Sequence, residues 1–192
     1  MKRSELAGEV SRRLGAEHIV ICGMGATTFT WRALNSPTPT YYSADPMGLS
    51  PGLALGFAVS RPRNDIVLLV GDGDLVMNLS ALLAWAQAAP ENLRMVVFHN
   101  HRYETGGGQA IPAGDRLRLD EVAAAMGIGW TARTGADDAA LSPGEAIDAL
   151  LAARGPAMLV VDLEAETAEY ADLGDISGAE DRTEFQRQIR SV

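Results

Sequence analysis

Asp72 stands inside Gly71-Asp72-Gly73-Asp74, directly after the apolar run Ile66-Val67-Leu68-Leu69-Val70. Asn100 follows a second apolar run, Leu93 to Phe98, and lies twenty-eight positions after Asp72. A carboxylate and a carboxamide are both oxygen donors, the ligand type preferred by Mg2+, which usually completes its octahedral shell with water and phosphate oxygens. If the two runs are strands of one parallel sheet, their ends can deliver Asp72 and Asn100 to a single cation. A backbone carbonyl just beyond Asn100 can supply a third oxygen. Gly73 leaves the backbone free to approach a phosphate closely, and a helix expected to start near Asn78 would aim its positive end at the anion. Gly-Asp-Gly alone is an ordinary turn after a strand. Strand, Gly-Asp-Gly, amphipathic helix, strand and Asn in this order make the tripeptide informative.

Such residues need a sheet to position them. Short apolar runs alternate with helical patterns along the chain, which predicts a layered α/β domain with a mainly parallel sheet. Strands are expected near 18–22, 66–70, 93–99, 128–132 and 157–162, and helices near 4–14, 25–34, 48–60, 78–89, 118–126 and 143–153. Ser142, followed by Pro143 and Glu145, gives the last helix its start signal. In an open parallel sheet, ligands bind at the carboxyl ends of the strands, where Asp72 and Asn100 stand.

The chain has 192 residues, 47% of them hydrophobic, enough for one core, and residues 1–163 are read as one domain. Its net charge of −9 argues against a general nucleic-acid surface. The acidic stretch from Glu164 to Glu184 holds few large apolar residues, so 164–192 reads as an acidic, weakly structured tail, with Tyr170, Leu173 and Ile176 as possible anchors. The single Cys22 cannot form an internal disulfide and reads as a packed thiol in a reducing cytoplasm. The first fifteen residues lack the pattern of a signal peptide, and no charge-free apolar stretch reaches about 18 residues, so no membrane span is expected.

Gly71-Asp72-Gly73 with Asn100 resembles the thiamine diphosphate motif, Gly-Asp-Gly followed by Asn-Asn. From about His18 to Asp162 the chain is similar to the diphosphate-binding domain of thiamine diphosphate-dependent 2-oxoacid decarboxylases, and most of all to the sulfopyruvate and phosphonopyruvate decarboxylase group. Thr105-Gly106-Gly107-Gly108-Gln109 stands where that group has a Gly-rich segment ending in Gln, and Asp45-Pro46-Met47-Gly48 is similar to its Gly-Ser-Met-Gly element. The resemblance implies a three-layer α/β/α fold binding thiamine diphosphate and Mg2+. It makes Asp72, Asn100 and the carbonyl of Arg102 metal ligands. It places Gly71, Gly73 and Asp74 at the diphosphate, with Tyr103 and Thr105 beside the cofactor. Met47 becomes the apolar fulcrum beneath the bent cofactor, and the Asp45 carbonyl an acceptor for its aminopyrimidine. His99 replaces the first Asn of the usual pair, Arg102 replaces a small residue, and Asp45-Pro46 replaces Gly-Ser.

The implied activity is decarboxylation of a small 2-oxo acid to an aldehyde. His101 and Glu104 are the candidates for proton transfer, with His99 and Tyr103 also flanking the metal loop. Histidine suits the task because it titrates near neutral pH, although His99, at a strand end, is read as packed. A second anionic group on the substrate would need Arg or Lys, for which Arg32 and Arg102 are the nearest candidates in sequence. In the family, the activating Glu sits on a separate pyrimidine-binding domain, and no such domain is read in this sequence. The resemblance therefore implies a hetero-oligomer whose companion subunit brings that domain. Rival readings are a carboligase, a 2-oxoacid oxidoreductase subunit, and a non-catalytic cofactor or nucleotide module. Gly23-Met24-Gly25 hints at a dinucleotide loop, but Thr28 occupies its final Gly position.

Overall fold

The computed structural model describes residues 1–135, 140–164 and 178–190. In chain order the elements are α1 (Arg3–Ser11), β1 (His18–Cys22), α2 (Ala26–Ala33), β2 (Thr40–Tyr42), α3 (Ser50–Ser60), β3 (Asp65–Gly71), α4 (Asp72–Val76), α5 (Ala81–Ala88) and β4 (Leu93–His99). They continue with β5 (Arg102–Tyr103), β6 (Gln109–Ala110), α6 (Leu119–Ala125), β7 (Trp130–Thr134), α7 (Pro143–Ala152), β8 (Ala157–Asp162) and α8 (Gly178–Gln188).

Six strands form one sheet in the order β2-β1-β3-β4-β8-β7, and every pairing in it is parallel. The inner strands are buried along nearly their whole length, which is why they read as continuous apolar runs. Successive residues point to opposite faces. Ile66, Leu68 and Val70 of β3 join a core with α3, α5, α6 and α8. Val67 and Leu69 face the other way and pack with α1, α2 and α7. The result is the expected three-layer α/β/α architecture.

Four local features depart from the sequence expectation. The helix expected over 78–89 starts only at Ala81, as α5, and a short unexpected helix, α4, precedes it; in the turns between them the Asn78 N–H donates to the Leu75 carbonyl (3.0 Å) and the Asn78 side chain to the Gly48 carbonyl (3.0 Å). No helix therefore starts at Asn78, and the helical turn at the candidate site begins at Asp72. The seventh strand starts at Trp130 rather than 128, because Ile128 turns into the core instead of pairing with β8. Short β2 and the antiparallel β5–β6 hairpin were not expected.

The fourth departure is α8. The stretch read as weakly structured to Glu184 ends inside a helix, since Phe185 is buried edge-on against Tyr41 (centroids 5.5 Å) and Phe57 (5.4 Å). Arg32 pairs with Asp181 at 2.6 Å, fixing the same helix. Tyr170, Leu173 and Ile176 lie outside the described residues. The start of α7 is as expected: Glu145 N–H donates to the Ser142 hydroxyl (3.4 Å), and Ser142 N–H donates to the Glu145 carboxylate (3.0 Å). Among the described residues, no helix is long and apolar enough to cross a membrane.

Candidate active site

The chain leaves β1 toward β2 on one side and returns to β3 on the other, so the topological switch point lies between β1 and β3. A crevice at the carboxyl ends of such strands is where open α/β sheets bind ligands. A cavity opens there. After β1 its wall includes Met24 and Thr27, after β3 it includes Gly71 to Asp74, and after β4 it includes Asn100 to Gly106 apart from His101. Met47, Arg3 and Leu163 also line it.

Asp72 is 2% exposed, and three donors orient its carboxylate. Oδ1 accepts from the Gly73 N–H (2.8 Å), and Oδ2 from the His101 N–H (2.6 Å) and His99 Nδ1 (2.8 Å). A carboxylate only accepts, so His99 must carry its proton on Nδ1. Its Nε2 is buried with no hydrogen-bond partner among the described residues. These donors hold the Asp72 plane and leave lone-pair capacity on Oδ1. Asn100 Oδ1 accepts from the Arg102 N–H (3.0 Å), while Asn100 Nδ2 donates to Glu104 Oε2 (2.8 Å). The Arg102 carbonyl oxygen lies 3.5 Å from the position a Cβ on Gly73 would take. Asp72, Asn100 and the Arg102 carbonyl thus offer an all-oxygen set at one end of the sheet, which can hold a hard divalent cation.

Gly73 is needed for steric reasons, because a Cβ there would stand 2.8 Å from the Tyr103 ring. Gly25 has φ +84°, and a Cβ on it would meet the Thr105 hydroxyl at 2.9 Å. The Gly23-Met24-Gly25 loop therefore serves this cavity; Thr28 closes it by donating its hydroxyl to the Gly23 carbonyl (2.7 Å).

Asp74 is 5% exposed and acts as a tie. Its Oδ1 accepts from the Gly48 N–H (2.5 Å) and Oδ2 from the Ser50 hydroxyl (3.3 Å), which fixes the turn carrying Met47 at the cavity wall. Burial raises its carboxyl above the usual range, with hydrogen bonds from Gly48, Ser50 and Met24 opposing. Asp45 does not line the cavity; its carboxylate accepts from the Ser43 (3.1 Å) and Tyr41 (3.4 Å) hydroxyls.

His101 does not line the cavity either. Its φ is +63°, its backbone N–H holds Asp72, and its Nδ1 lies 2.8 Å from the Gly114 carbonyl. Because that carbonyl only accepts, Nδ1 is protonated there too. Glu104 does line the cavity, where it pairs with Arg3 and accepts from Asn100. Arg32 is engaged elsewhere, with Asp181 and over the Tyr42 ring at 4.0 Å. Arg102 is exposed and lines the cavity.

Sequence reasoning missed Arg3 and Leu163, and no local signal marks Arg3, because its partner Glu104 is 101 residues away. His99, His101 and Asp162 also present potential ligand atoms within 4.8 Å of one another. Arg133 already grips both Asp162 oxygens, at 2.6 and 2.7 Å, so a cation there would face a neighbouring guanidinium. Burial pushes the Cys22 thiol up to about 12, so it stays protonated and is no nucleophile at neutral pH.

The model of the thiamine pyrophosphate enzyme C-terminal TPP binding domain matches residues 21–161. The chain belongs to that family. It is similar to the sulfopyruvate decarboxylase subunit beta of Methanothermobacter thermautotrophicus, with 31% identity over 85% of this chain and 89% of the relative. Phosphonopyruvate decarboxylase of Streptomyces hygroscopicus is 32% identical over 56% of this chain and 26% of that protein. A solved structure described as a thiamin diphosphate-dependent enzyme from Mycobacterium smegmatis aligns with a TM-score of 0.68 and 21% identity, over 86% of this chain and 32% of that one, a likeness of fold. A TPP-binding domain needs a tight cradle for the diphosphate and oxygen donors for its counter-cation. Gly73 and Gly25, where a Cβ would collide, and the oxygen set beside Gly73 fit that group.

Proposed function

We propose that this chain is the diphosphate- and Mg2+-binding subunit of a heteromeric thiamine diphosphate-dependent decarboxylase acting on a small 2-oxo acid, with sulfopyruvate and phosphonopyruvate as the substrate class. The observation that carries the reading is the convergence of Asp72, Asn100 and the Arg102 carbonyl around Gly73 at the ends of β3 and β4. The similarity to a beta subunit along most of its length supports the split organisation.

The cavity charge supports the metal. Asp72, Asp74 and Glu104 face it with Arg3 and Arg102, so the ionised side chains leave one net negative charge before a diphosphate enters. A divalent cation held by Asp72 and Asn100 would offset both. Bound there, thiamine diphosphate would supply the electron sink that permits loss of carbon dioxide from a 2-oxo acid. Met47, held in place through Asp74, would support the cofactor from below. Tyr103 and Thr105 would flank it, while Arg102, the exposed cation of the lining, would face a second anionic group on the substrate. His101 would position Asp72 through its backbone. The companion subunit would bring the pyrimidine pocket and the activating Glu, and the assembly would work in the cytoplasm.

Calorimetry on the full chain tests the first half of this reading. Thiamine diphosphate should bind with Mg2+ present, lose most of that affinity with a chelator, and lose it again in Asp72→Asn. Metal-independent binding, or binding of NAD in its place, would sink the reading.

A further inference from the structure

The family model begins at residue 21, yet Arg3, at the start of α1, lines the cavity with a side chain only 9% exposed. Its guanidinium pairs with Glu104 Oε1, and Glu104 Oε2 accepts from Asn100 Nδ2 at 2.8 Å. The amide end of Asn is nearly symmetric in shape, so its neighbours decide which atom faces which way. A carboxylate can only accept, so Glu104 takes the NH2 and turns Oδ1 away from itself. Oδ1 then lies 3.0 Å from the Arg102 N–H, which uses one of its two lone pairs and leaves the other free.

We infer that Glu104, held by Arg3, is a positioning residue that fixes the polarity of the Asn100 amide, so that its oxygen and not its nitrogen faces the cation. This rests on the metal reading proposed above. The ion pair to α1 fixes where the Glu104 carboxylate stands, so Arg3 acts on Asn100 through Glu104. The N-terminal helix is thereby part of the metal site, although the family model begins beyond it. Partners of this kind, one shell behind the ligands, commonly change metal affinity about 10- to 100-fold when removed.

The test uses the full chain with thiamine diphosphate and Mn2+ as the spectroscopic probe, its affinity read by electron paramagnetic resonance. Glu104→Ala should weaken Mn2+ binding by about 10-fold or more, and Arg3→Met should weaken it in the same direction. Because Arg3 acts through Glu104, the double variant Arg3→Met/Glu104→Ala should bind no worse than Glu104→Ala. It also removes both members of the buried pair, which protects the comparison from an unpaired charge that merely unfolds the chain. Arg3→Lys should stay closest to the parent. In the cofactor-free chain, the Asn100 side-chain amide protons, identified by their loss in Asn100→Ala, should move upfield in Glu104→Ala as the bond to the carboxylate disappears. A lowered melting temperature with unchanged Mn2+ affinity would make the pair structural only and overturn the inference. Unmoved amide signals would overturn it alone and leave the metal reading standing, whereas no Mn2+ binding by the parent chain would overturn both.

Discussion

Asp74 shows how a residue inside a binding motif can serve the fold more than the ligand. Its carboxylate holds Gly48 and Ser50, and burial raises its pKa above the ordinary aspartate range despite those hydrogen bonds. A raised folded-state pKa means that the folded chain binds the proton more tightly than the unfolded chain does. The stabilisation from this residue is therefore complete below the unfolded value of about 3.9 and is lost as pH rises through the folded value. Thermal unfolding across pH should show Asp74→Asn gaining ground on the parent as pH climbs from that low end toward neutrality. A difference independent of pH would show that the carboxyl titrates normally. Glu145 works in the opposite sense, since the Ser142 hydroxyl and N–H lower its pKa, but it is fully exposed and Asp74→Asn leaves its contribution in place.

At the level of elements, what the sequence made legible and what it hid have physical causes. The runs Ile66 to Val70 and Leu93 to Phe98 were readable because β3 and β4 are covered on both faces, and burial leaves no room for polar alternation. Asp72, Gly73 and Asn100 were readable because a motif at strand ends has fixed local spacing. Short β2 and the β5–β6 hairpin carry too few residues for a period to show. The late start of α5 was hidden because the turn before it is fixed by a tertiary bond from the Asn78 side chain to the Gly48 carbonyl, thirty residues away in sequence. In α8, acidic composition concealed one decisive aromatic. Phe185 is 3% exposed and sits in the same core as α3, so Phe185→Ala should cost about 3–5 kcal/mol. Urea unfolding measures this, and a cost below about 1 kcal/mol would mean that the helix is not held by its aromatic contact.

For the whole molecule, the decisive question is which carboxylate can start the cofactor's chemistry. Asp72 is held by His99, His101 and Gly73, Asp74 by Gly48 and Ser50, and Glu104 by Arg3 and Asn100. Among the described residues, each of the three carboxylates lining the cavity therefore already has a positioning task, and an activating group would either be taken from one of them or come from elsewhere, as from a companion subunit. The split enzyme proposed above takes the second course. A positioned acid or base typically contributes about 100- to 10,000-fold to rate, so the isolated chain with cofactor and Mg2+ should fall at least about 100-fold short of the assembled enzyme. Titrating a companion carrying the pyrimidine-binding domain into a fixed amount of this chain, with 2-oxo acid decarboxylation as the readout, should give activity that rises and then saturates at a defined ratio. In that assembly Glu104→Ala should lower activity mainly by weakening the metal, so excess Mg2+ should recover part of it. Substitution of the companion's activating Glu should be insensitive to Mg2+. An isolated chain that decarboxylates at an ordinary enzymatic rate would show that this chain supplies its own activating group, and the division of labour between two subunits would fall.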